Sequence, residues 1–352
     1  MKQTVVVFVL LLAHCGICLG QQPAAKLQSL PLSEVSGAVN IGDDRLLLIA
    51  DEGYQVQLVS GARIAFETAT FKDRLKPLSP ATNGSKESKE VMDDIEDVAW
   101  DPARSAAFVI TSHSRSKKQD NVEDPKAQKP QRHKLARLVL KNGAVEPSQE
   151  LGVLEDALNG IPFVPEAMKR PHQAGGEQGT FNIEGLAFEP FQGRLLIGLR
   201  SPLLDDDGKP AAVVLVLKNP HALFDLKAKA GLDTQPIPLD LEGAGIRGMT
   251  WDPERQGVWI VAGRSADPDE PADHALSTVW FWDPNHADRP PRKAPLDLRQ
   301  LESLESICVL DRGGKHGLLL ISDDGGESKE SRYLWVPAPE TVGPRRSPSS
   351  GV

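Results

Sequence analysis

Five short apolar runs in this chain each open on a polar residue: Ser36 before Gly-Ala-Val, Glu96 before Asp-Val-Ala-Trp, Glu184 before Gly-Leu-Ala-Phe, Arg247 before Gly-Met-Thr-Trp and Glu305 before Ser-Ile-Cys-Val. A second apolar run follows each and closes on polar residues: Asp51 and Glu52, Ser112 and His113, Arg200, Arg264, and Asp323 and Asp324. Three chemistries could draw on these residues. Glu96, Glu305, Asp51, Asp323 and Asp324 offer the hard oxygen donors that calcium prefers. Glu96, Glu184 and Glu305, held close together, would include a carboxyl that titrates high enough for general acid or base work, with His113 as the alternative. Arg200, Arg247 and Arg264, with Ser112, could clamp a phosphate or carboxylate. The inert alternative is a ring of ion pairs in which Arg200 holds Glu184, and Arg247 and Arg264 hold neighbouring carboxylates.

These residues converge only if each pair of runs is an antiparallel pair of strands, and the local signals say so. Trp100-Asp101-Pro102, Phe188-Glu189-Pro190 and Trp251-Asp252-Pro253 are turns: proline ends a ladder and the acidic side chain bonds turn amides. The second runs, such as Leu46-Leu-Leu-Ile, Leu195-Leu-Ile and Leu318-Leu-Leu-Ile, are apolar without alternation, as strands buried on both faces are. Weaker strands follow at Gln55–Val59 with Arg63–Thr68, Leu135–Leu140, Ala212–Leu217, Thr278–Trp282 and Tyr333–Val336.

Repeats of three or four strands predict an all-β β-propeller better than a sandwich or β-helix. Five blades are detected. A sixth, with a decayed signature, has room between Val145 and Thr180, and Leu27–Leu32 would supply the outer strand that closes the ring. In a blade the start of the first strand and the end of the second meet at one face, which makes that face the site. Pro77–Glu90, Ser114–His133 and Gly160–Thr180 read as loops, and Leu151–Leu158 as a helical turn. Asp205-Asp206-Asp207-Gly208 lacks a glutamate at the twelfth position of a calcium loop, where Val216 stands, and reads as a hairpin turn.

The ends and composition set the remaining expectations. Lys2, the apolar run Val5–Ala13 and small residues before Gln21 predict a cleaved signal peptide at residues 1–20, a single domain at 21–342 and a loose tail at 343–352. The product would be periplasmic or extracellular, with no stable membrane insertion. Cys308 would then be its one cysteine, and it reads as a buried hydrophobe. A net charge of −9 with no long basic block argues against nucleic acid as a partner. The expected partner is a small anionic or ester ligand, with calcium as the candidate cofactor. The functional expectation is hydrolysis of an ester, phosphoester or other anionic substrate; the alternative is a non-catalytic propeller that binds a ligand, glycan or protein.

Asp94-Ile-Glu-Asp-Val-Ala, Thr111-Ser-His-Ser-Arg-Ser-Lys-Lys, Asn182-Ile-Glu-Gly-Leu-Ala, Leu196-Ile-Gly-Leu-Arg-Ser-Pro and Ile321-Ser-Asp-Asp-Gly-Gly carry a resemblance as well. Together with Ser33-Glu-Val-Ser-Gly they resemble, in order, the bacterial family known as domain of unknown function 3616. That resemblance implies a secreted propeller and supplies no activity. Through the Glu-Gly-Leu-Ala strand opening the chain is also distantly similar to the esterase-like phytase propellers and to calcium-dependent propeller hydrolases. Asp97, Arg247 with Gly248, and Ser306 depart from their Glu-Gly pattern.

Overall fold

The structure is a computed structural model that describes residues 27–30, 34–42, 45–50, 55–60, 76–77, 92–115, 130–141, 144–145, 150–170, 179–265, 277–286, 289–301, 303–323 and 331–340. Its strands form five antiparallel sheets. Strand β1 (Gln28–Ser29) belongs to the last of them. The first sheet is β2 (Val35–Asn40), β3 (Arg45–Ala50), β4 (Gln55–Ser60) and β5 (Lys76–Pro77). The second is β6 (Ile95–Asp101), β7 (Ala106–Thr111) and β8 (Leu135–Lys141), with β9 (Ala144–Val145) and β10 (Glu150–Gly152) both paired to β8.

The third sheet runs β11 (Asn182–Glu189), β12 (Arg194–Asp206), β13 (Lys209–Leu217) and β14 (Ile237–Leu239). The fourth is β15 (Gly245–Asp252), β16 (Gly257–Gly263), β17 (Thr278–Trp282) and β18 (Arg292–Lys293). The fifth is β19 (Leu304–Val309), β20 (Gly317–Ser322) and β21 (Arg332–Pro337), with β1 on its outer edge, Gln28 opposite Tyr333.

The second strands are buried along almost their whole length, as their unbroken apolar runs require. Each sheet stacks on the next through a separate apolar cluster. Leu47 and Ile49 meet Val98 and Val109, Phe108 meets Phe188, Leu196 and Val214 meet Met249 and Ile260, and Trp259 and Val261 meet Ile307 and Leu320. A fifth cluster joins the last sheet to the first, through Cys308 and Leu319 against Ala38 and Leu48. The first strands stand side by side in the cyclic order β2, β6, β11, β15, β19 and back to β2. This is an all-β chain in β-propeller arrangement.

The acidic turn residues act as the sequence suggests. Asp101 accepts the Ala103 amide at 2.9 Å, Glu189 the Phe191 amide at 2.8 Å, and Asp252 the Glu254 and Arg255 amides at 2.9 and 3.0 Å. Asp205–Gly208 is a hairpin turn: Asp207 and Gly208 both have positive φ, and Asp205 accepts the Gly208 amide at 2.7 Å. The stretch proposed for a sixth blade holds, among the described residues, β10 and two short helices, α1 (Glu155–Leu158) and α2 (Val164–Ala167), whose apolar side chains pack into the second and third sheets. A third helix, α3 (Pro220–Asp225), follows β13. No helix of the described residues is long and apolar enough to cross a membrane.

Candidate functional site

The five opening residues share one backbone feature. In every first strand the register to the second strand slips by one residue, and the residue that falls between two register pairs is the polar one: Ser36, Glu96, Glu184, Arg247 and Glu305. A bulge of this kind re-aims a side chain out of the pleat. Here it frees five side chains at one end of the central strands. The residue after each bulge lies hard against the neighbouring first strand. A Cβ on Gly37 would stand 2.9 Å from the Asp97 Cα, and one on Gly248 would stand 2.6 Å from the Glu305 carbonyl oxygen.

The bulges of the third, fourth and fifth sheets form one ionic group. Arg247 forms an ion pair with Glu184, Nε to Oε2 at 3.0 Å, and donates from Nη2 to Glu305 Oε1. Arg200, where β12 runs past the mouth, donates to Glu184 Oε1 at 2.9 Å, and Asn182 Nδ2 donates to the same oxygen at 2.9 Å. Burial opposes the charge of Arg247, but the carboxylates of Glu184, Glu305 and Glu96 outweigh it and raise its pKa. Glu305 is displaced in the other sense. Burial pushes its carboxyl up to about 7 against the pull of Arg247, and the negative charge of Glu184 adds to the rise. Three carboxylates thus share two guanidiniums.

Arg264 joins this group through its backbone, since its carbonyl accepts Arg200 Nε at 3.2 Å. Its side chain lines a separate open hollow of about 420 Å³ with Glu242 and Lys293, which form an ion pair at 2.5 Å. Ser112 and His113, at the end of β7, belong to a different network. Ser112 Oγ donates to Ser114 Oγ at 3.0 Å; Arg132 donates to that same Ser114 oxygen at 2.8 Å and also binds Asp94. The Ser112 carbonyl accepts the Ile183 amide at 2.8 Å, which ties this network to the strand that carries Glu184.

His113 is buried and stacks near His133, ring centroids 5.4 Å apart. Its Nδ1 faces the Thr111 carbonyl at 2.8 Å and therefore carries the proton, while Nε2 has no partner among the described residues. Burial lowers its pKa to about 3, helped by the charge of His133, so it is neutral at any ordinary pH. Asp323 lies at the end of β20, where its amide bonds the Ser303 carbonyl at 3.0 Å. Asp51, Glu52 and Asp324 fall outside the described residues.

Sequence reasoning assigned no role to Asp97. Its carboxylate is 1% exposed and lies just below the ring, accepting amides from three sheets: Val98 at 2.8 Å, Leu186 at 2.7 Å and Met249 at 3.1 Å. Burial raises its pKa well above the usual carboxylate range, although those three amides pull it down. Asp94 and Arg132 were missed as well. The one signal for them was Asp94 within the Asp-Ile-Glu-Asp element that the family resemblance singled out.

At the opposite end of the central strands, Glu254, Asp311 and His316 bring ligand-type atoms within 4.8 Å of one another. His316 is not suited to a metal. Its Nε2 faces Asp252 at 2.8 Å and its Nδ1 faces Asp311 at 2.8 Å, and these carboxylates raise its pKa in spite of burial. Both ring nitrogens are donors, so the group is an imidazolium between carboxylates.

A β-propeller whose central strands each push one bulged side chain into a common polar mouth is the class that fold and site define. Residues 140–332 match the family described as "Protein of unknown function (DUF3616)". The chain belongs to that family. No curated protein matches it in sequence. Among solved structures it is similar to the allergen Mala s 1 of Malassezia sympodialis at 13% identity and TM-score 0.43, over 88% of this chain and 78% of that one. It is also similar to the PQQ-bound aldose sugar dehydrogenase of Streptomyces coelicolor at 13% identity and TM-score 0.39, over 90% of this chain and 100% of that one. The WD40 β-propeller domain of Doa1 is matched at 9% identity and TM-score 0.37, over 88% and 95%.

Proposed function

We propose that the protein is an exported hydrolase of ester, phosphoester or related anionic substrates, with its reaction centre at the bulge ring. The observation that supports this is Glu305, whose carboxyl is brought to about 7, held on Arg247 in the same mouth as Arg200, which is held on Glu184. A carboxylate that exchanges its proton near neutrality can take one from an attacking water, and fixed guanidiniums can stabilise the negative charge that develops on the substrate. Glu184 anchors both arginines, and Glu96 adds negative charge beside Arg247. Ser112 and Arg264 flank the mouth, and neutral His113 stands as a second acceptor.

The same reading takes the five sheets as the complete blades of one domain at residues 21–342, closed by β1 after loss of residues 1–20. Calcium, the candidate cofactor, is assigned to the carboxylates of Asp51, Asp323 and Asp324, hard oxygen donors of the kind that ion prefers.

The test is a panel of nitrophenyl esters and phosphomonoesters, with and without calcium, over a range of pH. Activity should rise through about 7 as Glu305 loses its proton. Glu305→Gln should lose at least about a hundredfold of it, the usual scale for a catalytic acid or base. Glu96→Gln should lose less. An unchanged rate and pH profile in Glu305→Gln overturns the assignment, and inactivity on the whole panel overturns hydrolysis in favour of ligand binding at this mouth.

A further inference from the structure

Arg200 and Arg264 come at the same point of two adjoining sheets, yet their side chains go to different places, and the backbone gives the reason. Arg200 falls between two register pairs of β11 and β12, Asn182 with Ser201 and Ile183 with Leu199, and it turns toward Glu184 in the ring. On β16 there is no such slip, since Ala262 and Gly263 pair in succession with Ile246 and Gly245. Gly263 faces Arg247, whose Cγ would lie 3.0 Å from a Cβ placed there. Arg264, the next residue, points to the other side of the chain, and its carbonyl alone reaches the ring.

Its side chain enters the open hollow of about 420 Å³ between the β14–β15 connection and the outer strands of the fourth sheet, within the size range of small-molecule sites. Leu241, Ala244 and Ala262 give the hollow apolar surface. One wall is a closed turn: Glu242 and Gly243 both have positive φ, and the Ala244 amide donates to the Leu241 carbonyl at 3.3 Å. Across it, Lys293 holds Glu242 at 2.5 Å and lies over the Trp280 ring. These walls are in place before any ligand arrives.

The charges in the hollow do not balance. Lys293 and Glu242 cancel, whereas the half-buried guanidinium of Arg264 has no hydrogen bond or ion pair among the described residues. Carboxylates are not scarce, since the chain has 49 acidic residues against 40 Lys and Arg. Thr278 Oγ1 accepts the Trp280 indole at 2.9 Å, which leaves its own hydrogen to donate.

We propose that this hollow binds a small hydroxylated monocarboxylate, its carboxylate on Arg264 and its hydroxyls between Glu242, Lys293 and Thr278. One excess positive charge matches a monoanion, and a planar guanidinium grips a carboxylate at two points. The Glu242–Lys293 pair offers an acceptor and a donor to hydroxyl groups, and the volume admits a ligand of about one ring. The site shares the Gly263–Arg264 backbone with the ring and none of its side chains, so it does not rest on hydrolysis there.

The full chain is titrated calorimetrically at neutral pH and low salt with glucuronate and quinate, two hydroxylated monocarboxylates, and with glucose and inorganic phosphate. Saturable binding of at least one acid, weakened by added salt, is expected, with phosphate weaker and glucose not bound. Arg264→Gln should weaken binding at least about tenfold, the scale of a charge-assisted hydrogen bond, and Arg264→Lys, which keeps the charge without the fork, should lose less. Glu242→Gln releases Lys293, raises the charge of the hollow by one and should strengthen phosphate binding. Glu305→Gln should bind as wild type does, which separates this outcome from that of the hydrolase assignment. Melting temperature and circular dichroism establish that each variant is folded. The proposal is overturned by no saturable binding of either acid, by glucose or phosphate bound as tightly as the acids, by unchanged affinity in Arg264→Gln, by phosphate binding not raised in Glu242→Gln, or by loss of binding in Glu305→Gln.

Discussion

Replacing Asp97 by alanine takes the acceptor from three buried amides at once, two of them on other sheets. A buried amide left unpaired costs about 1–3 kcal/mol. The Val98 amide is next to Asp97 in its own strand and can relax with it. The amides of Leu186 and Met249 cannot follow, so the two together set the loss at roughly 2–6 kcal/mol. Against a total stability of about 5–15 kcal/mol for a folded domain, that is a large fraction. Urea denaturation followed by tryptophan fluorescence should show a fall in midpoint at unchanged slope.

The same residue has a pH signature. Burial raises the Asp97 carboxyl well above its usual range, so the folded protein holds this proton more tightly than the unfolded chain does. Its contribution to stability is complete below the ordinary carboxylate pKa and declines as pH rises toward the raised value. In Asp97→Asn that decline disappears, because nothing titrates. An Asp97→Ala midpoint equal to wild type, or an Asp97→Asn stability curve with the wild-type slope across this range, refutes the reasoning.

Two further outcomes follow from the other buried groups. Asp252 is buried and accepts from His316, from the Trp259 indole at 2.9 Å and from two turn amides; burial raises its pKa, but the bond and charge of His316 prevail and lower it. Its stabilisation is present above the ordinary carboxylate pKa and lost as pH falls through the depressed one, whereas that of His316 is present below the ordinary histidine pKa and lost as pH rises through the raised one. Asp252→Asn leaves the imidazolium without its main partner and should cost about 3–5 kcal/mol in denaturant titrations at neutral pH; a cost near zero contradicts the pairing. Cys308 is fully buried and burial pushes its thiol up to about 12, so dithiobis(nitrobenzoate) should label it only after unfolding; labelling at the same rate in native protein contradicts its place in the core.

The sequence carried the strand pairs because repetition multiplied a weak local signal. Leu135–Leu140 and Thr278–Trp282 alone are ordinary β-prone stretches, yet their position after each strong pair placed them within a residue or so of β8 and β17. The bulged set was legible for the same reason: a polar residue ahead of a small one and an apolar run, five times over. What escaped notice was whatever depends on contacts between sheets. Asp97 looked like an exception to a Glu-Gly pattern, because the amides that donate to it lie 89 and 152 residues away. Arg264 stood at the same repeat position as Arg200, but only its carbonyl reaches the group, and nothing local distinguishes the two.

The five bulges have a meaning for how such a protein can change over generations. A residue in a ladder answers to a cross-strand neighbour, and altering it disturbs a pair. The bulged residue has no such neighbour, so its identity is not fixed by the scaffold that presents it. Ser36, Glu96, Glu184, Arg247 and Glu305 occupy what amount to interchangeable sockets, and the chain already displays three different side-chain types in them. Natural variation can rewrite the chemistry of the mouth while the ladders beneath stay as they are, although Glu184, Arg247 and Glu305 share ion pairs and would have to change together.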